Sequence, residues 1–471
     1  MAFDVVVLGG LVASDSGVTK AEIGIIGGRV AAVEPTGTGI SGETTIDATG
    51  KYVLPGAIDT HTNMEWPFDG TASADTFQSG TAAAALGGTT TAIDFVPVAV
   101  GESALASAEA RLRRAEGQAF IDYSFHPILT SADSRTLNEI PSLIRDGFAS
   151  FKTYTTYDNG LDDGAIWSVM RVIAEHGGLA GFHAENEAIL GRALRAHLEA
   201  GHVSLRDFPA TRPQIAEAEA ISMVSFFARR LGAPVWIFHV SSEMALVAIE
   251  EARAAGTRID AETCTHYLTF NDRVFLEPDA WRFAITPPIR DLASQDALWD
   301  AVIRGSLSAI CSDHCAYSSQ QKAAGREDFT KLPFGAPGID ARVPVFWSRG
   351  VSEGRISVAD FVRITATRPA QALGMYPRKG ALLPGSDADL LVIDPDVSWT
   401  FPETPMPGGS DYSLYAGLRL KGRPVLTMVR GQVVVRDGQI VGRPGHGVFV
   451  PRSLRDSATG GPLAVGGESR S

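Results

Sequence analysis

Cysteine is scarce in this sequence, with three residues among 471, at positions 264, 311 and 315. Three thiols cannot form the disulfide framework of a secreted protein, so a reducing, cytoplasmic setting is expected. Cys311 and Cys315 lie in CSDHC, whose spacing differs from the two-residue gap of a zinc knuckle or a redox motif. We therefore predict that the cysteines are small buried side chains.

Positive charge and long apolar runs are also scarce. The chain has 41 Lys and Arg against 54 Asp and Glu, a net charge of -13. An acidic surface repels phosphates, so neither nucleic acid nor an anionic membrane is an expected partner. The most apolar stretch, GTAAAALGGTTTAIDFVPVAV, contains Asp94 and several glycines and threonines, which makes it a poor membrane span. The start, MAFDVVVLGG, lacks the positive charge and apolar core of a signal peptide.

No glycine-rich nucleotide loop, GxGxxG or GxxxxGK, occurs in the sequence. The middle of the chain instead alternates short apolar runs, such as GTTTAIDFV and PVWIFH, with helical patterns, such as QIAEAEAISMVSFFARRLG. Strand and helix alternating over about 300 residues predict an α/β protein with a parallel sheet, best accommodated as a closed eight-stranded barrel. An open doubly wound sheet is the alternative. Both chain ends have a β-like texture, as in FDVVVLGG and VRGQVVVRDGQIV, and predict one small antiparallel β unit built from both termini.

Five of the apolar runs end in residues that can bind a metal. In a barrel, strand ends of the same polarity converge on one rim, so ligands far apart in sequence would meet there. Taken singly, a histidine at a strand end is more often structural, an aspartate caps a helix and a lysine is a solvated charge. It is the joint pattern that predicts a metal site. The residues are His61 with Asn63, Lys152, His183, His239 and Asp313.

The lysine of this set needs a special explanation, because an ammonium group repels a cation. Lys152 could be a ligand only as a neutral amine, or as a carbamate formed with carbon dioxide, which is a carboxylate on a long arm. Three residues near this set have more than one interpretation. His126 also follows an apolar run, and with Pro127 after it a structural role and a metal-binding role both stay open. His314 is expected to be structural or to support a ligand, and Glu185 to cap a helix or to orient a histidine.

These residues also carry a family resemblance. The chain resembles the cyclic amidohydrolases of the dihydropyrimidinase and hydantoinase branch, through IDATGKYVLPGAIDTHT, FKTYTTY, HAEN, HVSS, CSDHC, DFTKLPFGAPG and RPAQALGMYPRKGALLPGSDADLLVIDPD, in that order. The resemblance covers nearly the whole chain. It implies a distorted (β/α)8 barrel over residues 55–375, a β-sandwich from residues 1–54 and 376–450, and a C-terminal tail over 451–471. It also implies a homo-oligomer, a dimer or a tetramer.

The resemblance further implies a two-metal site, usually zinc, that hydrolyses a cyclic amide. By position, Lys152 matches a carbamylated lysine that bridges the metals, and His183 and His239 match ligands of the more exposed metal. The more buried metal would take His61, Asn63 and Asp313. Asp313 would also move the proton from water to the leaving nitrogen, and Tyr157 would stabilise the oxyanion.

Three positions depart from the family pattern. Asn63 stands where a histidine is usual, and its carbonyl oxygen is a weaker zinc ligand than imidazole. We therefore expect one or two metals per chain, with Mn²⁺ as an alternative to Zn²⁺. Thr286 replaces a serine and Phe334 an asparagine at substrate-contacting positions, so the expected substrate differs from plain dihydrouracil.

Two other classes of function stay open at this point: a different cyclic amidohydrolase and a non-catalytic scaffold. A dihydroorotase usually has an arginine at position 65 to bind the substrate carboxylate, and Glu65 would repel that group, whereas an allantoinase fits the ligands but matches the flanking stretches less well. A non-catalytic scaffold protein with this fold would have lost most of the ligands. Here one of the six ligand positions is changed, and bound metal would separate the two classes.

Overall fold

The computed structural model describes residues 3–68, 71–404 and 407–454. The strands are β1 (Phe3–Leu8), β2 (Leu11–Ser14), β3 (Gly17–Ile26), β4 (Arg29–Pro35), β5 (Gly42–Asp47), β6 (Tyr52–Pro55), β7 (Ala57–Thr62), β8 (Pro67–Phe68), β9 (Thr71–Ala72), β10 (Thr89–Val96), β11 (Asp122–Pro127), β12 (Ser150–Tyr154), β13 (Leu179–His183), β14 (Val235–Ile237), β15 (Ile259–Cys264), β16 (Ala309–Cys311), β17 (Leu390–Thr400), β18 (Arg419–Val429), β19 (Gln432–Arg436) and β20 (Gln439–Ile440). The α-helices are α1 (Phe77–Leu86), α2 (Ala104–Ala115), α3 (Ser134–Arg145), α4 (Asp163–Glu175), α5 (Glu187–Glu199), α6 (Gln214–Leu231), α7 (Glu243–Ala254), α8 (Thr265–Thr269), α9 (Leu292–Arg304), α10 (Arg342–Phe346), α11 (Val358–Val362) and α12 (Arg368–Ala372).

Eight parallel strands form the barrel that the sequence predicts. Strands β7, β10 and β11 form one hydrogen-bonded group, and β12 to β16 form another in chain order. Single parallel bridges close the two seams, between Ile128 and Lys152 and between Thr62 and His314. The prediction of a distorted α/β barrel is therefore confirmed, and the distortion lies at these two seams, where pairing is reduced to one bridge.

The barrel strands are buried on both faces because helices cover their outer side. Every residue of β10 and β11, for example, is buried. Many of the covering helices begin at a polar residue whose side chain accepts from the first turn, as Asp162 does for α4 and Ser242 for α7. Among the described residues, no helix is long and apolar enough to cross a membrane.

A second sheet of ten strands joins the two ends of the chain. It contains β1 to β6 and β17 to β20, and β17 pairs with β6. The predicted antiparallel unit is wrong in two pairings, because β1 with β5 and β2 with β6 run parallel. The sheet has an apolar core of its own, which includes Ile23, Val53 and Leu390.

The last described residues pack against the barrel rather than leaving it. Arg452 is buried and donates to the hydroxyl of Ser124, within β11, at 2.8 Å and to the hydroxyl of Ser150, at the start of β12, at 2.6 Å. The sequence analysis assigned residues 451–454 to the tail, and they contact the barrel here. From residue 455 onward, the predicted tail lies outside the described residues.

Candidate active site at the carboxyl ends of the barrel strands

A cavity of about 750 Å³ opens at the carboxyl ends of the barrel strands. The sequence-predicted residues that line it are Asn63, Lys152, Tyr157, His183, His239, Thr286, Asp313 and Phe334. His61 is joined to this set by contacts with Lys152 and Asp313. The structure therefore brings all nine predicted residues together, although they are spread along the chain from residue 61 to residue 334.

His61, in β7, lies between two carboxylates. Its Nδ1 donates to Oε1 of Glu262 at 2.8 Å, and its Nε2 lies 3.0 Å from Oδ1 of Asp313 and 3.3 Å from Nζ of Lys152. Burial and the charge of Lys152 lower the pKa of His61, but the two carboxylates outweigh them and the net shift is upward. With Nδ1 fixed by Glu262, Nε2 is the nitrogen that faces the site.

Lys152, in β12, has an unusually apolar setting for an amine. Its Nζ lies 4.1 Å from the centre of the Phe95 ring and 4.9 Å from that of Phe238. Burial lowers the pKa of Lys152 to about 8, although the carboxylates of Asp313 and Glu262 oppose the shift. The neutral amine, the form that adds carbon dioxide, is therefore more accessible than in a solvated lysine.

His183 and His239 form the second side of the site. Their ring centroids are 4.5 Å apart, and Nε2 of His183 donates to Oε2 of Glu185 at 2.7 Å. Burial lowers the pKa of both histidines, so both are neutral imidazoles, which is the form that binds metals. Nδ1 of His239 is buried without a hydrogen-bond partner among the described residues. An orphaned buried nitrogen beside neutral imidazole, lysine and carboxylate groups is a donor set that fits a divalent metal.

Asn63 turns the nitrogen of its side-chain amide, and not the carbonyl oxygen, toward Asp313. Its Nδ2 donates to Oδ1 of Asp313 at 3.1 Å and approaches the backbone oxygen of His314 at 3.5 Å. Because both neighbours are acceptors, the amide nitrogen and not the carbonyl oxygen must face them. Burial raises the pKa of Asp313, but the charges of His61 and Lys152 outweigh it and the pKa is about 2, so this carboxyl group is an anion.

Tyr157 follows β12 on a left-handed backbone, with φ of 70°. Its hydroxyl donates to Oγ1 of Thr286 at 3.0 Å and accepts from Nη2 of Arg212 at 3.1 Å. Phe334 stacks on Phe208 with ring centroids 4.8 Å apart, so one face of its ring is already covered by the protein. Thr286, the other residue predicted to contact the substrate, accepts from Tyr157 and also forms part of the cavity wall.

Several residues of the site were missed or left open by the sequence analysis. Glu262 was not singled out, because the run RIDAETC mixes charged with apolar residues and gives one glutamate little signal. Among the described residues, His61, Glu262 and Cys311 bring potential metal-binding atoms within 4.8 Å of one another. Glu185 proves to orient a histidine, as one of its two interpretations predicted. Arg212 had no signal of its own in the sequence.

Other expectations about side chains can be judged from the same geometry. His314 is structural as predicted, because Nε2 donates to Asp75 at 3.0 Å and Nδ1 accepts from the backbone of Gly338. Glu65 pairs with Arg114 at 2.7 Å and does not line the cavity, so position 65 does not serve a substrate carboxylate here. All three cysteines are free and buried, which confirms their prediction.

An eight-stranded α/β barrel whose strand ends gather histidines, a buried lysine and an aspartate around a cavity defines a class of metal-dependent hydrolases. The comparisons with known proteins give the family. The chain belongs to the amidohydrolase family, whose model matches residues 52–434.

Named relatives lie in the hydantoinase branch that the sequence predicts. A D-hydantoinase of Streptomyces coelicolor is 38% identical over 462 residues, covering 96% of this chain and 99% of that protein. A solved D-hydantoinase structure superimposes with a TM-score of 0.93 at 36% identity and covers 96% of this chain and 100% of the other. The dihydropyrimidinase of Brevibacillus agri gives a TM-score of 0.92 at 37% identity, with coverage of 95% and 98%. The predicted resemblance is confirmed.

Proposed function

We propose that this chain is a metal-dependent hydrolase that opens a cyclic amide, such as a hydantoin, a dihydropyrimidine or a related ureide or imide. The observation that carries the proposal is the convergence of His61, Lys152, His183, His239 and Asp313 at one cavity. The relatives named D-hydantoinase and dihydropyrimidinase support the substrate class.

The metal would be held by His183 and His239 on one side and by His61 and Asp313 on the other, with Lys152 between them as a carbamate. When bound, a divalent ion such as Zn²⁺ would acidify a water molecule and polarise the amide carbonyl. Asp313 would accept the proton of the attacking water and deliver it to the leaving nitrogen. The hydroxyl of Tyr157 would donate to the oxyanion that develops on the carbonyl oxygen.

Asn63 has two roles in this proposal. Its amide N–H holds Asp313 in place, and its carbonyl oxygen is the only atom of this side chain that can bind a cation. A neutral amide oxygen is a weaker zinc ligand than imidazole. A metal near Asn63 would therefore bind more weakly than one held by His183 and His239, and Mn²⁺ would compete better there.

We also propose that the chain self-associates and works in the cytoplasm. Four large apolar side chains of α6 and α7 line one groove between these helices and are between 41% and 52% exposed, namely Ile215, Phe226, Met244 and Val247. An apolar face of this kind supports an interface with a second copy. Three free, buried thiols support a reducing compartment.

The test is ring opening by purified protein loaded with Zn²⁺ or Mn²⁺ and bicarbonate, on hydantoin, 5-phenylhydantoin and dihydrouracil. Asp313→Ala and Lys152→Ala are each expected to lower kcat at least 1,000-fold, on the order of the loss of a catalytic group plus its metal-binding contribution. Lys331→Ala, at an exposed lysine paired with Asp328, is the matched control. Full activity in Asp313→Ala would overturn the mechanism, and absence of bound metal and of ring opening in the wild type would favour the scaffold interpretation.

A further inference from the structure

Arg212 lies in the segment between α5 and α6 and contacts both sides of the candidate site. Its Nε donates to Oε1 of Glu185 at 3.2 Å, and its Nη2 donates to the other carboxylate oxygen of Glu185 and, at 3.1 Å, to the hydroxyl oxygen of Tyr157. Glu185 in turn accepts from Nε2 of His183 at 2.7 Å. One buried ion pair therefore connects a proposed metal ligand to the proposed oxyanion donor.

The contact with Tyr157 has a directional consequence. A phenol oxygen that accepts a hydrogen bond from a guanidinium cannot send its own proton back along the same line. The proton of Tyr157 must point elsewhere, and in this structure it points to Oγ1 of Thr286, which lines the cavity. The proton of Tyr157 is therefore held on the cavity side of the hydroxyl, away from Arg212.

The backbone of Tyr157 also needs support, because its left-handed φ of 70° is unfavourable for an aromatic residue. The carboxylate of Glu187 accepts from the backbone N of Tyr157 at 3.2 Å and from the hydroxyl of Thr156. The guanidinium carbon of Arg212 lies 5.2 Å from the centre of the Tyr157 ring. The peptide is thus held by Glu187, and the ring and hydroxyl are held by Arg212.

The ion pair makes Arg212 a rigid support. Glu185 is fully buried, and only 13% of the Arg212 side chain is exposed. Two donors of one planar guanidinium bind the two oxygens of Glu185, so its orientation is fixed. A lysine could keep the charge beside Glu185, but a single ammonium nitrogen would not keep both the paired geometry and the hydrogen bond to Tyr157.

We propose that Arg212 is a positioning residue for ring opening, which acts by fixing the hydroxyl of Tyr157 so that its proton is directed at the oxygen of the substrate amide. The proposal rests on the proposed function and adds to it a residue that contacts neither the substrate nor the metal.

The test is a double-mutant cycle between Arg212→Lys and Tyr157→Phe, with kcat and KM measured on the same hydantoin. Arg212→Lys is expected to lower kcat about 10- to 100-fold, a part of the loss expected from a missing oxyanion donor. KM should change less than about threefold, and metal per chain should be unchanged. In the Tyr157→Phe background the Arg212→Lys change should have almost no further effect on kcat, because the group through which it acts is gone.

Arg111→Lys is the matched control, because Arg111 is also buried and pairs with a buried aspartate, Asp94, at 2.7 Å, without contacting Tyr157. Arg111→Lys should keep the wild-type kcat, although it should lose about as much thermal stability as Arg212→Lys. Losses that multiply in the double mutant, or an Arg212→Lys enzyme with wild-type kcat, would overturn the proposal. If the wild type opens no ring with metal present, the proposed function itself fails. That result differs from the two that would overturn only the role of Arg212.

Discussion

At the scale of single residues, backbone strain marks the candidate site. Six described residues other than glycine have a positive φ, and three of them, Tyr157, His239 and Asp313, are residues predicted from the sequence to do chemistry. A left-handed backbone at such residues costs about 1–3 kcal/mol each and persists only where surrounding contacts impose it. The strain therefore supports the assignment of these residues to a built site rather than to ordinary strand ends.

Asn63 gives the most direct prediction at this scale. Replacing it with histidine puts an imidazole nitrogen where the chain has an amide, so we expect tighter binding of Zn²⁺, by about tenfold or more. The measurement is metal per chain by elemental analysis after dialysis against buffers of set free Zn²⁺. Asn63→Ala serves as the control and should bind no more zinc than the wild type. Equal metal content in Asn63→His and the wild type would show that position 63 does not contribute to the metal site.

Sequence reasoning found the donors at this scale but not their supports. His61, Lys152, His183, His239 and Asp313 could be predicted because each follows its own apolar run in the sequence. The contacts that orient them could not, because Glu262 is 201 residues from His61 and Arg212 is 55 residues from Tyr157. The orientation of the Asn63 amide, with its nitrogen toward Asp313, could not be predicted either, since it depends on Asp313 and on the backbone of His314.

At the scale of elements, two loops that line the cavity are held together by one buried lysine. Nζ of Lys322 donates to the backbone oxygens of Trp281 and Ala284, at 3.3 and 3.2 Å. Thr286 follows the first loop, and Phe334 belongs to the loop that follows Lys322. Lys322 is fully buried, and its hydrogen-bond acceptors among the described residues are these two backbone oxygens, with no carboxylate. The shape of the substrate cavity thus depends on an uncompensated amine.

This amine predicts a pH dependence of stability. Burial lowers the pKa of Lys322 to about 7 from its usual value of 10.5. Between these pH values the unfolded chain binds a proton that the folded chain does not, so the free energy of unfolding rises with pH, by up to about 1.4 kcal/mol per unit. Below pH 7 both states are protonated, and the cost of burying the charge is present in full.

The measurement is urea unfolding of the wild type and Lys322→Met at pH 7, 8, 9 and 10. The wild type should gain stability relative to Lys322→Met as pH rises, and the comparison cancels groups that titrate in both proteins. For Lys331→Met, at an exposed lysine, the free energy of unfolding should change with pH in parallel with that of the wild type. A constant difference between wild type and Lys322→Met would contradict the prediction.

At the scale of the whole molecule, the barrel and the ten-stranded sheet are joined by a buried cluster of charges. Nζ of Lys379 lies 2.6 Å from Asp122, at the start of β11, and 2.6 and 3.1 Å from Asp389 and Asp387, which precede β17. Arg430, after β18, also donates to Asp122. Burial lowers the pKa of Lys379, but the three carboxylates outweigh it and the net shift is upward, so the amine is charged.

The barrel and the ten-stranded sheet have different sequence patterns, but this cluster of charges should make them unfold together. In Lys379→Met, Asp122 would keep Arg430 and Asp387 would keep Arg378, but Asp389 would lose its only ion-pair partner among the described residues. Breaking a buried ion pair by removing one side costs about 3–5 kcal/mol. We expect a fall in the free energy of unfolding of that size, with one cooperative transition in the wild type and a separate early transition of the ten-stranded sheet in the variant. Circular dichroism and tryptophan fluorescence during urea unfolding would measure both. Lys421→Met, at an exposed lysine of β18, is the control, and a variant that unfolds like the wild type would show that the sheet is held to the barrel by apolar contacts alone.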